Sequence, residues 1–390
     1  MILKKKILFL IGNLESGGVS KSMVSLLNTI DRKKYDVSLW IGNPSGLFYE
    51  LLPNDIRLLS DKRITLLLKG VNGLSQLLRH GYLLLFFGSL LRLVVSTFNK
   101  AYAGWLLAKL MPNICKGEEF DLIVDYNGQQ QLYYMVDKLK GKKKISFFHS
   151  DYSKWPFYYE MDKRYYPKID YIYTISDVCV QSLKKYFPYQ KDKIGIMENI
   201  SSPQLIEKMA KEQIPDKDIY KSKIKILTIG HISHNKGSDL AIRAAAILKN
   251  RDFEFKWFFL GKEIDNFKGL IKELDVTEQI VYLGMQANPY PYLKQADLYV
   301  HPSLFEGKSI ALDEAKILSK PIVVTNFSTV KDQFEDRINA SICEMSPESI
   351  ANAIEELLAK PELALQYRTY LKSHMTDNTS EVEKLYRLID

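Results

Sequence analysis

Apolar residues in the first half of the chain come in short unbroken runs, each closed by a polar turn. KKILFLI (5–11) is such a run and reads as a strand buried on both faces. A loop, GNLESGG, follows it, and then VSKSMVSLLNTI (19–30) shows the three-to-four residue spacing of a helix. The strand pattern returns in YDVSLWIG (35–42), FDLIVDYN (120–127), KKISFFHS (143–150) and IDYIYTIS (169–176), each followed by a helical or polar segment. Alternation of this kind predicts a parallel sheet covered by helices on both faces. After the extended stretch KIGIMENI (193–200), residues 201–223 are polar and charged and read as a hinge. The plan then restarts. IKILTIGHISHNKG (224–237), the helical run SDLAIRAAAILKN (238–250), FKWFFLGKE (255–263), IVYLGM (280–285), DLYVHPS (297–303) and KPIVVTN (320–326) make a second series.

The prediction is therefore α/β, with two doubly wound, Rossmann-like domains over 1–199 and 200–376 and a last helix of about 377–390 packing back on the first domain. A length of 390 residues suits two cores better than one. Open α/β sheets bind ligands outside the carboxyl ends of their strands, so the chemistry is expected in a cleft between the two domains.

Composition narrows the classes. Cys115, Cys179 and Cys343 lie far apart without a C-x-x-C pair, which implies neither a disulfide framework nor a zinc site and suits a reduced cytoplasm. The apolar run at the N-terminus is too short for a signal peptide and reads as the first strand. Net charge is +8 and unevenly placed, with the basic excess in the first half. Residues 62–117 hold eight cations (Lys62, Arg63, Lys69, Arg79, Arg92, Lys100, Lys109 and Lys116) and no acid. The same segment contains GYLLLFFGSLLRLVVSTF, too short to span a bilayer but suited to lying in an anionic membrane interface. The other reading is a core helix with a solvated basic face. No nucleic-acid partner is expected.

Three short stretches carry candidate chemistry. Gly17-Gly18, between the first strand and the first helix, lets backbone approach a ligand, although its spacing is not that of a dinucleotide fingerprint. In IGHISHNKGSDL the second domain repeats the arrangement. A strand leads through Gly230 and His231 to Lys236-Gly237 and a helix expected to be capped by Ser238 or Asp239. A lysine at that loop can neutralise a diphosphate without a metal. In FEGKSIALDEAK (305–316), Glu306 sits in a small polar turn and Glu314 lies a turn and a half into the following helix. The backbone N–H groups of Gly307, Lys308 and Ser309 there form a cradle for an anion or hydroxyl. The literal Asp-x-Asp, Asp216-Lys217-Asp218, lies in the hinge beside a lysine and is a poor metal site, so no metal ligand is assigned.

Together these residues resemble the retaining nucleotide-sugar glycosyltransferases of the GT-B fold, specifically glycosyltransferase family 4 (group 1) of the bacterial polysaccharide-assembly type. The block ADLYVHPSLFEGKSIALDEAKILSKPIVVTN matches that family's Glu-x7-Glu motif and is the specific part. The resemblance implies a catalytic set of Glu306, Lys236 and His149, with Glu306 holding donor-sugar hydroxyls, Lys236 the diphosphate, and His149 facing the transferring sugar. It places Glu314 on the ribose. Gly307, Lys308 and Ser309 would serve the sugar and diphosphate, with Gly230 and His231 beside them. Gly17 and Gly18 would lie near donor or acceptor. It also implies an acceptor-binding first domain, a donor-binding second domain, and no cofactor beyond the nucleotide diphosphate sugar, expected to be UDP-linked. The acceptor is expected to be a glycan or a polyprenyl-linked lipid at the inner face of the plasma membrane, with the protein cytoplasmic and peripheral.

One position departs from the family. The usual G-R-x-x-x-x-K-G pattern has its arginine replaced by His231, and an imidazole offers one donor where guanidinium offers a charged fork. His234 and Lys308 are candidates to compensate. The loss keeps open a non-catalytic GT-B partner subunit that binds an acceptor or another transferase, with a sugar-nucleotide epimerase as a third class.

Overall fold

The computed structural model describes residues 4–15, 17–214 and 220–389. The Asp216-Lys217-Asp218 triplet lies outside them. The chain divides into two compact units, Met1–Ile200 with Thr379–Asp390, and Ser201–Asn378.

The first unit is built on seven strands: β1 (Lys5–Ile11), β2 (Tyr35–Ile41), β3 (Arg57–Leu59), β4 (Glu119–Asp125), β5 (Lys140–Phe148), β6 (Tyr171–Thr174) and β7 (Ile194–Ile196). They form one parallel sheet in the order β3-β2-β1-β4-β5-β6-β7. The apolar runs sit in the middle of the sheet because a strand covered on both faces needs apolar side chains on both. Thus Ile7, Leu8, Phe9, Leu10, Ile123 and Ile145 are all fully buried. The chain's end closes this unit. Tyr386 stacks on Tyr35 with ring centroids 4.4 Å apart, and its hydroxyl accepts from the Asp31 N–H at 2.9 Å.

The second unit has six strands: β8 (Lys225–Ile229), β9 (Lys256–Leu260), β10 (Ile280–Gly284), β11 (Leu298–His301), β12 (Ile322–Thr325) and β13 (Ser341–Cys343). They form a parallel sheet in the order β10-β9-β8-β11-β12-β13. One apolar core lies on each face, around Trp257 and Ile242 on one side and Phe258 and Leu312 on the other.

The structure departs from the sequence reading in three local ways. β3 and β13 are three-residue edge strands, too short to show a period. Part of the expected hinge is a helix, Pro203–Met209, because Ser202 caps it and Ile206 and Met209 bury one face. The helix Ser238–Asn250 starts at Gly237 without a side-chain cap; the Ser238 hydroxyl instead accepts from the Ser233 N–H at 3.0 Å.

Residues 62–117 fold as four helices, Lys62–Leu68, Val71–Arg79, Leu83–Phe98 and Lys100–Leu110. Among the described residues no helix is long and apolar enough to cross a membrane. The helix Leu83–Phe98 nevertheless buries only Ser89 fully. Leu84, Phe87, Leu91, Val94 and Phe98 are exposed and recur every three or four residues, which aligns them as one apolar stripe along the helix. The eight cations of the segment are not equivalent. Arg63 pairs with Asp61 at 2.7 Å and Lys109 with Asp137 at 2.9 Å, while the Arg92 side chain is half-buried. Lys62, Lys69, Arg79, Lys100 and Lys116 remain exposed, Lys100 resting over the Phe157 ring at 4.5 Å.

Candidate functional site

In the second unit, β8 and β11 are neighbours, and the loops leaving their carboxyl ends are laced together. Leu304 N–H and the Ser303 hydroxyl both donate to the Asn235 carbonyl, at 3.1 and 3.3 Å. Gly237 holds a left-handed φ of 65°, and a Cβ there would come within 1.8 Å of the Pro302 carbonyl oxygen. Only glycine satisfies both conditions. Its presence lets the Lys236 turn lie directly against the turn that carries Glu306, although the two residues are 70 positions apart.

The result is a compact charged cluster. Lys236 Nζ donates to Glu306 Oε1 at 2.6 Å, and His301 Nε2 meets the same oxygen at 2.9 Å. The Tyr299 hydroxyl lies 3.1 Å from His301 Nδ1. When that hydroxyl donates to Nδ1, Nε2 carries the proton given to Glu306. The Glu306 backbone is tied too, its carbonyl accepting from Thr329 at 3.0 Å. Burial alone would raise the Glu306 pKa, but His301 and Lys236 outweigh it and hold the carboxyl at about 2. Both partners use Oε1, and among the described residues Oε2 has none.

Glu314 is enclosed more deeply. It is 1% exposed against 8% for Glu306, and Oε1 accepts from the Tyr290 hydroxyl at 2.9 Å. Gly307 and Lys308 are half-buried in the turn, and Ser309 starts the helix Ile310–Ile317 in extended geometry without capping it through its side chain. Gly230 follows β8, and its N–H donates to the Leu260 carbonyl at 3.0 Å. His231 comes next on the exposed side of the loop; burial of part of the ring and the charges of Lys236 and Lys262 lower its pKa. It is a neutral imidazole near pH 7. The His234 ring lies 3.4 Å from Asp239, and its backbone N–H donates to Asp265 at 2.8 Å.

The remaining candidates belong to the first unit. Gly17 and Gly18 lie at the start of the helix Gly18–Thr29, with Gly17 at φ 89° and no side-chain cap. His149 follows β5 directly. Its ring packs on Phe147 and Tyr126, with centroids 5.4 and 4.5 Å away, and both nitrogens are enclosed without a well-formed hydrogen bond. Burial pushes its pKa down to about 4, against weak contacts with Asn199 and the Tyr126 backbone.

The sequence reading did not single out His301, Tyr299 or Tyr290. The signal for His301 was present, since a histidine ending a strand five residues before an acidic turn can fold back onto it. The tyrosines carried no signal, because their partners are set by packing between helix and strand.

Residues 209–374 match the family model of glycosyl transferases group 1, a stretch that holds Lys236, His301, Glu306 and Glu314. The crystal structure of Anabaena HepE in complex with UDP-glucose aligns over 98% of both chains with a TM-score of 0.65 and 13% identity. The fold is GT-B, and the likeness to glycosyl transferases group 1 covers residues 209–374. Two curated relatives extend the comparison. One is the Campylobacter jejuni enzyme N-acetylgalactosamine-N,N'-diacetylbacillosaminyl-diphospho-undecaprenol 4-alpha-N-acetylgalactosaminyltransferase, 30% identical over 212 residues that make up 53% of this chain and 56% of that one. The other is the amylovoran biosynthesis glycosyltransferase AmsK of Erwinia amylovora, 24% identical over 57% of this chain and 55% of that one. The matches span about half the length of the first curated relatives. The cluster around Glu306 lies inside the matched stretch and brings a converging set of polar groups together.

Proposed function

We propose that this chain transfers a hexose from a nucleotide diphosphate sugar, most simply a UDP-sugar, to a glycan or lipid-linked acceptor, with retention of anomeric configuration, in cell-envelope, capsule or exopolysaccharide assembly. The observation that carries the proposal is the shared oxygen of Glu306. Its Oε1 takes Lys236 and His301, so the carboxylate stays ionised and fixed in direction while Oε2 is left for a sugar hydroxyl. Lys236 lies within reach of the same ligand and supplies positive charge for the departing diphosphate, an electrostatic stabilisation that needs no metal ion. His231 adds at most one neutral donor. HepE was crystallised with UDP-glucose, and the Campylobacter relative is named for a diphospho-undecaprenol acceptor, which supports the substrate classes chosen here. His149 in this reading contributes shape and a neutral ring face, since its nitrogens are enclosed.

The proposed setting is the cytoplasmic face of the plasma membrane. The exposed stripe from Leu84 to Phe98 and the exposed cations Lys62, Lys69, Arg79 and Lys100 combine apolar and positive character, which suits an anionic bilayer surface.

A panel of nucleotide sugars tests the activity by thermal shift and by release of nucleoside diphosphate. A donor at 100 times its dissociation constant should add roughly 2.7 kcal/mol to stability. If none of the panel shifts the melting temperature and none is cleaved in the presence of lipid-linked acceptors, the proposal fails. Donor-independent binding of acceptor without diphosphate release would favour the partner-subunit reading that the histidine at 231 raises.

A further inference from the structure

We propose that the second unit holds a binding pocket for a lipid-type phosphate, an alkyl chain ending in a phosphate monoester, at the end of the helix Ile310–Ile317 remote from Glu306. A cavity of about 300 Å³ opens there, where four helices end: Pro203–Met209, Tyr290–Gln295, Ile310–Ile317 and Pro361–Ser373. The Glu306 turn precedes the amino end of Ile310–Ile317, so eight residues of helix, about 12 Å, separate the two places. The cavity is distinct from the cluster around Glu306, and its ligand does not depend on the transferase reading.

The lining is divided between two kinds of chemistry. Its floor is apolar, with Ala210, Ile317 and Leu371 buried and Leu318 half-buried. Its mouth carries Lys211, Lys294 and Lys372, all exposed, together with Glu207. Among the described residues none of the three lysines forms an ion pair.

A lysine near the end of a helix is favoured by the partial negative charge there, which accounts for each lysine singly. Two of the four helix ends, however, are already closed by other groups. Buried Lys320 donates to the Lys294 and Ala296 carbonyls at 2.6 and 2.7 Å and so closes Tyr290–Gln295. Ile310–Ile317 closes on itself, the Ser319 N–H donating to the Lys316 carbonyl at 2.9 Å and the Lys320 N–H to the Ala315 carbonyl at 3.0 Å. The potential behind the cavity wall stays positive. Burial and the charges of Arg368, Lys225 and Lys294, against Asp297, draw the Lys320 pKa down to about 8. Ser319 adds a separate observation. It holds a left-handed φ of 50° at the position where a helix ending of this type ordinarily has glycine. The strain is kept, and with it a hydroxyl on the cavity wall that bonds to no described residue.

The two parts of the lining select the ligand together. Three lysines with Glu207 leave two positive charges at the mouth, the complement of a phosphate monoester, which carries a charge of about −2 at pH 7. A free phosphate would leave the apolar floor wet, and a neutral chain would leave the lysines unpaired. The volume sits at the lower bound of roughly 300 Å³ for small-molecule pockets, so a short chain, or the first part of a longer one, fits.

Calorimetric titration of the full chain with decyl phosphate, below its micelle concentration, tests the site. One molecule should bind per chain. Inorganic phosphate and decyl maltoside each carry half of the chemistry and should bind about tenfold or more weakly. Either of them binding as tightly as decyl phosphate overturns the pairing of head and chain. Lys211→Glu combined with Lys372→Glu should weaken decyl phosphate by about tenfold or more at an unchanged melting temperature, because both side chains are exposed. Ser319→Gly should raise the melting temperature and weaken binding about threefold, since strain and hydroxyl go together; unchanged binding removes Ser319 from the site. A decyl chain has a second apolar surface to meet, the stripe on Leu83–Phe98, so the variant with Leu84, Phe87 and Phe98 replaced by serine is titrated in parallel and should bind as the wild type does. No binding to the wild type, full binding in the double lysine variant, or a loss confined to the triple serine variant overturns the proposal.

Discussion

Replacing Leu84, Phe87 and Phe98 by serine tests whether the helix Leu83–Phe98 meets a bilayer. These side chains are 87%, 63% and 87% exposed, so little packing is lost on substitution and nearly all of their apolar surface remains to be buried elsewhere. Full burial of a Leu or Phe side chain contributes about 1.5–3 kcal/mol. Scaled to the exposed fractions, three of them contribute on the order of 4 kcal/mol when sunk below the headgroups. At 1.4 kcal/mol per tenfold, that is roughly a thousandfold in partitioning. The exposed cations add about 1 kcal/mol each near an anionic surface and are screened by salt over roughly 8 Å. Co-sedimentation with vesicles of anionic lipid should therefore weaken in high salt but not vanish for the wild type. The triple variant should keep only the salt-sensitive part, and its thermal stability should change by about 1 kcal/mol or less. If the variant sediments as the wild type does in high salt, the apolar stripe does not enter the bilayer and the membrane reading of this segment is wrong.

Three further outcomes follow from the Glu306 cluster. Lys236→Ala should weaken binding of free UDP by roughly 2–3 kcal/mol, measured calorimetrically, because a charged hydrogen bond to the diphosphate is lost; unchanged affinity removes Lys236 from the site. Glu306→Gln should chiefly lower kcat, while Glu314→Gln should chiefly weaken nucleotide binding; equal effects on free-nucleotide affinity contradict the roles given to them. The folded pKa of Glu306, about 2, is below its ordinary value of 4.5, so its contribution of roughly 3 kcal/mol is fully present above pH 4.5 and is lost as pH falls toward 2. Hydrogen exchange of peptides covering 298–318 should show that acid loss, and Glu306→Gln should flatten it.

The sheet architecture was legible because a strand buried on both faces needs an apolar run, and KKILFLI, KWFFL and IVVT all have one. The Lys236 and Glu306 loops were legible as motifs, and the structure brings them together through the glycine at 237. What the sequence could not convey was partnership. His301 and Lys236 share one oxygen of Glu306, and Tyr290 donates to Glu314, through contacts that packing sets and no local pattern announces. The basic segment shows the same limit from the other side. Its eight cations look alike in sequence, yet Arg63 and Lys109 are paired with Asp61 and Asp137, acids that lie just outside it or on a separate helix. The apolar stripe was masked for a different reason, since a helix rich in leucine and phenylalanine has the same composition whether its outer face is covered or open.

The sharing of Glu306 Oε1 also bears on the missing arginine. A clamp made of one lysine has a single charge to divide between Glu306 and a diphosphate, and the Lys236 side chain is committed to Glu306 at 2.6 Å. If Lys236 were the only partner, moving it to a diphosphate would strand a buried carboxylate, at a cost of several kcal/mol. His301 changes that balance. It stays on Oε1, backed by Tyr299, and keeps Glu306 hydrogen-bonded while Lys236 turns to the leaving group. On the proposed function, the histidine behind the carboxylate thus offsets part of what a second cation at position 231 would supply. It adds no charge to the diphosphate, but it releases a charge that would otherwise be held.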